Sequence, residues 1–181
     1  MIRAMLICTA LVLAGCSRTA TSALPQKPAA NGGQRVYSYF SPNGEAKAAM
    51  IRAVNQAERE VLIALYYFTD APMADAVIAA KERGCAVRVI LDRTQAHRAD
   101  SQAQRLVDAG ITVTFDRRHR LMHNKFCVMD RESVITGSQN WTAASDASNA
   151  ENTLIIRNNR HLADKYRETF LSMTAQNNPS H

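Results

Sequence analysis

No C-x-x-C pair occurs among the four cysteines, so the closely spaced thiolates of a structural zinc site are missing. The one extended apolar run, Ala4 to Leu13, is ten residues long, about half of what a helix needs to cross a bilayer. No segment repeats, and 181 residues suffice for one domain with a proper core but not for two. Acidic side chains are in deficit, 16 against 22 lysines and arginines, which leaves a net charge of +6 and favours polyanionic partners.

What is present is one ordered set. His123, Lys125 and Asp130 stand as H-x-K-x-x-x-x-D, and Gly137, Ser138 and Asn140 follow as G-S-x-N. A histidine and a lysine two apart on an extended strand face the same way, about 6.5 to 7 Å apart, and together can hold one phosphate. An imidazole can attack phosphorus or trade a proton near neutral pH, and an ammonium supplies fixed positive charge for the non-bridging oxygens. The chemistry indicated is phosphoryl transfer.

Phe126 to Met129 continues the apolar stretch, the turn-forming Asp130-Arg131-Glu132 ends it, and Ser133 to Thr136 reads as the returning strand. Asp130 is an odd number of positions from His123, so a regular strand turns it to the other face, where it ties down the turn or pairs with a base behind the site. Ser138 and Asn140, just past a strand end, are expected to face the substrate, with Gly137 permitting tight backbone. Singly, each would be an ordinary surface residue. As a set, chance produces the first triplet alone in about one chain in a hundred of this length, and the second makes coincidence a poor explanation.

These residues resemble the signature of the phospholipase D superfamily, and the stretch from about Val36 to Phe170 resembles its small bacterial single-motif endonucleases. Tyr39 to Gly44, Tyr66 to Thr69 and Ala79 to Gly84 resemble segments of those nucleases in order and spacing. The resemblance implies that Glu151 is a carboxylate orienting the catalytic histidine. It also implies catalytic roles for His123, Lys125, Ser138 and Asn140, structural support from Asp130 and Gly137, and neither cofactor nor metal. Larger family members carry two H-x-K motifs in one chain. One motif is half an active site, so the expectation is a homodimer with a shared site, one histidine acting as nucleophile and the other as acid.

Arg117, Arg118 and Arg120 flank His119 shortly before His123, and such a basic patch at the mouth of a site draws in a polyanion. Lys165 and Arg167 are read instead as a solvated helix face.

The fold expected is an α/β layered domain of phospholipase D type, with a mixed β-sheet flanked by helices on both faces. Strands are expected at Val36–Phe40, Val61–Phe68, Ala86–Leu91, Ile111–Phe115 and Thr153–Arg157. Helices are expected at Glu45–Ala57, from Asp70 to Gly84, at Ser101–Ala109 and at His161–Met173, with a solvated loop from Arg93 to Asp100.

Residues 1–15 resemble a bacterial lipoprotein signal, with Cys16 as the acylated residue, and 16–34 read as a flexible tether. The nuclease-like domain is assigned to 35–175 and a disordered tail to 176–181. Ser17 after Cys16 resembles an outer-membrane sorting signal, so the expected location is the periplasm, with the membrane reached through lipid alone. Cys85 and Cys127 are expected as buried free thiols.

Three functions fit this reading. The first is a metal-independent endonuclease without sequence preference, acting on DNA first and RNA second, since nothing resembles a base-reading module. The second is a phospholipase D or phosphatidyltransferase. The third is a non-catalytic envelope lipoprotein that binds nucleic acid, which the intact His123, Lys125, Ser138, Asn140 and Glu151 argue against.

Overall fold

The run Val61 to Leu65 is apolar at every position, and in the computed structural model, which describes residues 33–42 and 45–177, it lies in the middle of a seven-stranded mixed sheet. The described elements are β1 (Arg35–Ser41), α1 (Glu45–Asn55), β2 (Glu60–Leu65), α2 (Ala71–Glu82), β3 (Ala86–Asp92), α3 (Arg93–Ala96), α4 (Ala103–Asp108), β4 (Thr112–Asp116), β5 (Lys125–Met129), β6 (Ser133–Gly137), α5 (Ala143–Ala147), β7 (Glu151–Arg157) and α6 (Arg160–Asn177). Strand order across the sheet is β1-β7-β6-β5-β2-β3-β4. Parallel pairing joins β2 to β3 and β3 to β4, and the remaining pairs are antiparallel.

Successive strand residues face opposite ways, so a strand covered on both faces has no position left for a polar side chain. Val61, Ile63 and Leu65 join one hydrophobic cluster, with Met50 and Val54 of α1, Met73 and Val77 of α2 and Leu106 of α4. Leu62 and Ala64 join a second cluster with Ala163, Phe170 and Met173 of α6. Phe170 is fully buried, and burying one such side chain stabilises the fold by about 2 kcal/mol. Helices thus cover both faces, as the sequence predicts.

Local signals set the helix starts. The Asp70 carboxylate accepts from the Met73 amide at 3.0 Å and caps α2, with proline in the first turn. Arg167 was expected on a solvated face. Instead its guanidinium forms a two-pronged pair with Glu60, at 2.9 and 3.2 Å, and clamps α6 to β2.

Other differences concern short elements and ends. The second expected strand stops at Leu65, and the Tyr66 amide just beyond it still bonds the Asn124 carbonyl across from it. The polar stretch after Asp92 opens with α3, whose first turn the Asp92 carboxylate caps. The helix expected from Ser101 begins at Ala103, and α5 was not foreseen. The last helix runs to Asn177, into the expected tail, because the Asn177 side chain bonds Asp116 at 2.7 Å. Cys85 and Cys127 are buried and unpaired with each other, and burial pushes both thiols up from their ordinary range. The expected signal, Cys16, most of the tether, Asn43, Gly44 and the last four residues lie outside the described residues.

Strand direction gathers one set of ends along one sheet edge. Leu65 is opposite both Lys125 and Leu91, Asp92 is opposite Asp116, and Ser41 is opposite Glu151. Gly137 pairs with Thr153 at the same edge. Asp130 lies at the far edge, beside Glu60.

Candidate active site

Three buried or half-buried strand ends shape the loop that carries His123. The Asp92 carboxylate, while capping α3, also accepts from the Met122 amide at 3.1 Å. The Asp116 carboxylate accepts from the His119 amide at 3.2 Å and from Asn177. Burial opposes ionisation of Asp116, but the hydrogen bonds from Asn177 and His119 outweigh it and hold the carboxyl below its usual range. The Tyr66 amide donates to Asn124 at 2.9 Å. The loop from β4 to β5 is therefore pinned from three neighbouring strands.

His123 is exposed and precedes the strand, which begins at Lys125. The expectation that both lie on one regular strand face is corrected accordingly. They are joined by other means. The Lys125 ammonium donates to the His123 carbonyl at 2.8 Å, and Tyr66 sits against both, its ring centroid 4.6 Å from the imidazole and 5.1 Å from the Lys125 nitrogen. The Tyr66 hydroxyl is itself fixed, accepting from Gln95 at 2.9 Å. One donor of the buried ammonium is occupied, which leaves two for a ligand's oxygens. Burial holds Lys125 below the usual lysine range, with the Glu151 charge pulling the other way.

Gly137 reaches the same edge with φ +152°, and a Cβ there would lie 2.2 Å from the Asn152 carbonyl oxygen. That close approach locks the next residue. The Ser138 amide donates to the Asn152 side chain at 2.9 Å, and the Ser138 hydroxyl donates to Glu151 at 2.5 Å while accepting from the Asn152 amide at 3.0 Å. Ser138 was expected to face a substrate. It is exposed, and its one hydroxyl proton goes to Glu151. Glu151 opens β7 rather than preceding it, and its other oxygen accepts from Asn149 at 3.1 Å. Among the described residues no hydrogen bond joins Glu151 to the His123 ring, so the expected orienting contact is absent and Tyr66 is the ring's neighbour. Asn140 has a buried Oδ1 with no hydrogen-bond partner among the described residues.

The basic loop divides. Arg117, Arg118 and Arg120 are all exposed, but Arg118 donates to the Gln176 carbonyl at 2.8 Å and serves the end of α6. Asp130, at the far edge, accepts from the amides of Glu58, Arg59 and Glu60 at 2.8 to 3.0 Å, and ties the turn after β5 to the start of β2. Sequence reasoning missed Tyr66, Asp92 and Asp116 as site-shaping residues. Their common signal, a polar or aromatic side chain at or just past the end of a strand, becomes informative only once the strands are aligned.

An exposed imidazole, a buried ammonium, an amide and a carboxylate on one open edge can engage a phosphodiester without enclosing it. The chain matches the family model described as "Cardiolipin synthase, PLD-like domain" over residues 50–174. It is 36% identical over 143 residues to a phospholipase D of Rickettsia felis, covering 79% of this chain and 71% of that protein. It is 33% identical over 145 residues to the mitochondrial cardiolipin hydrolase of Mus musculus, covering 80% and 66%. Among solved structures it is similar to Nuc from Salmonella typhimurium, a phospholipase D family member, with a TM-score of 0.75, 29% identity, and 78% and 94% of the two chains covered. NucT from Helicobacter pylori shares the fold, with a TM-score of 0.71 at 22% identity.

Proposed function

This chain belongs to the phospholipase D superfamily as a Nuc-like phosphodiesterase, and from that premise we propose that it is an endonuclease cutting DNA, and RNA second, without sequence preference. The observation that carries the reading is the open edge itself. His123 is exposed, and it follows a loop bearing the exposed Arg117 and Arg120, so a polymer can lie across the site and be drawn there by charge.

In the proposed reaction an imidazole nitrogen of His123 attacks phosphorus, forming an N–P bond as one P–O bond breaks. The leaving oxygen takes a proton from the imidazolium of His123 in a second copy. That imidazole, now neutral, takes a proton from water as the water attacks phosphorus, and the N–P bond breaks. The free donors of Lys125 and the Asn140 amide meet the non-bridging oxygens, where charge builds in the transition state. Ser138 holds Glu151, whose charge balances Lys125. Each chain supplies one such histidine, so the reading includes a two-fold homodimer whose contact surrounds His123 and Ser138. Lys125 and Asn140 supply the charge and polarity that this mechanism requires, so turnover in EDTA is part of the reading.

A second reading, hydrolysis of a membrane phospholipid, is favoured by the names of the similar proteins and by Leu121, an exposed apolar side chain two residues before His123. Purified protein in EDTA, given plasmid DNA in one arm and cardiolipin vesicles in the other, separates the two. Nicked and linear plasmid with intact lipid supports the nuclease. The reverse pattern overturns it.

The reading also includes export and acylation at Cys16, supported by Leu13-Ala14-Gly15-Cys16 and the apolar run before it. Mass spectrometry of the protein from bacterial membranes tests this: an acylated N-terminal Cys16 is the expected result, and an unmodified mature N-terminus contradicts it.

A further inference from the structure

At the opposite end of the sheet, a cleft of about 240 Å³ opens between α1 and the outer strands β1 and β7. Its lining includes Arg35, Arg52 and Arg157, with Tyr37, Tyr39 and Gln56, and no carboxylate. Three guanidinium groups around one cleft repel one another unless an anion lies among them. Among the described residues none of the three has an ion-pair partner. Gln56 accepts from Arg157 at 2.7 Å and so fixes that group in place. The Arg35 Nε is buried and has no hydrogen-bond partner among the described residues, a charged donor that they leave unsatisfied.

Planar guanidinium forks match phosphate geometry. The apolar side chains nearby do not suggest a membrane as the partner of this cleft. Val36 and Phe40 are exposed on β1, but they alternate with Tyr37 and Tyr39 and therefore lie on the other face of the strand. Arg35 pairs with Arg157, and Ser41 with Glu151 six residues further along, so the Arg35–Arg157 end of the cleft lies about 20 Å along the strand from the catalytic edge, with Tyr39 lining it on the way. One strand of duplex DNA places about six phosphates in that length.

We infer that this cleft is a second phosphate-binding site, which holds the backbone of the nucleic acid whose scissile phosphate sits at His123. The inference rests on the nuclease reading, and binding and cleavage test the two separately. Binding is read in the full-length chain carrying His123→Ala, with and without Arg52→Gln and Arg157→Gln, using labelled DNA of 4 and 20 base pairs. Cleavage of DNA and of bis(p-nitrophenyl) phosphate is read with His123 present. The expected result is about tenfold weaker binding of the long duplex and a salt slope shallower by about two, one unit per lost phosphate contact. The 4-base-pair duplex and the small diester should be unaffected within about twofold.

Unchanged affinity and slope on the long duplex would overturn the cleft while leaving the nuclease intact. So would an equal loss on both duplexes. Wild-type protein that cleaves the small diester but no DNA would overturn the nuclease reading. Arginine-dependent binding of the long duplex would then still support the phosphate site.

Discussion

The Lys125 ammonium donates to the backbone carbonyl of His123 at 2.8 Å, so the cation is held by the same residue that the proposed reaction uses as its nucleophile. That bond, rather than a shared strand face, sets the spacing of the pair. It makes the two residues interdependent in position while leaving them different chemical tasks.

His123→Ala should leave the fold intact, because the side chain is exposed, and should lower phosphodiester cleavage by at least about a thousandfold. Steady-state turnover of bis(p-nitrophenyl) phosphate checks it. Activity within about tenfold of wild type would remove His123 from the nucleophile's role.

Lys125 should impose an alkaline limb on kcat/KM. Burial lowers its pKa, so the charge that meets the phosphate is lost as pH rises, and is lost earlier than for an ordinary lysine near about pH 10. The sign for stability is opposite. A lysine whose folded pKa lies below its unfolded value destabilises the fold while charged, and that cost is relieved as pH rises through the folded pKa. Lys125→Arg should keep the charge and flatten the limb, at reduced rate. A wild-type profile that stays flat to pH 10 would contradict the assignment.

Gly137→Ala should destabilise the protein by about 2 to 3 kcal/mol, because the new Cβ would press on the Asn152 backbone and the chain there has φ +152°. Activity should fall further than stability explains, since the shift displaces Ser138 and, with it, Glu151. Urea unfolding and turnover at a temperature where the variant is fully folded separate the effects. Full activity in the folded variant would show that this strand end does not position the site.

Asp130→Asn should cost about 1 to 3 kcal/mol, because one of the oxygens that accept the amides of Glu58, Arg59 and Glu60 becomes a donor facing a donor. Turnover per folded molecule should stay within about threefold of wild type. A large loss of kcat in well-folded Asp130→Asn protein would mean that the far edge is coupled to the chemistry.

Much of this was legible in the sequence. The five apolar residues of β2 announced a strand buried on both faces, and Asp70 with the proline two residues on marked a helix start. Asp130 was set apart from the phosphate by its odd spacing from His123, whereas in the structure the length of β5, not the strand face, separates them. What was not legible depends on register. Asp92 and Asp116 reach the His123 loop only because β3 and β4 end side by side, and Tyr66 reaches the imidazole only because β2 pairs with β5. The placement of His123 in a loop was hidden because a strand's first residue carries no sharp sequence signal. The bond from the Ser138 hydroxyl to Glu151 was not legible because the two are thirteen residues apart and meet across β6 and β7.

The most direct test is to quench the full-length protein in alkali within its first turnovers on a phosphodiester oligonucleotide in EDTA, then map the adduct by mass spectrometry. A nucleotide joined through phosphorus to His123, absent from His123→Ala and chased by further incubation before the quench, is the predicted result. DNA cleavage that proceeds with no adduct on His123, or that stops in EDTA and returns with Mg²⁺, would contradict it.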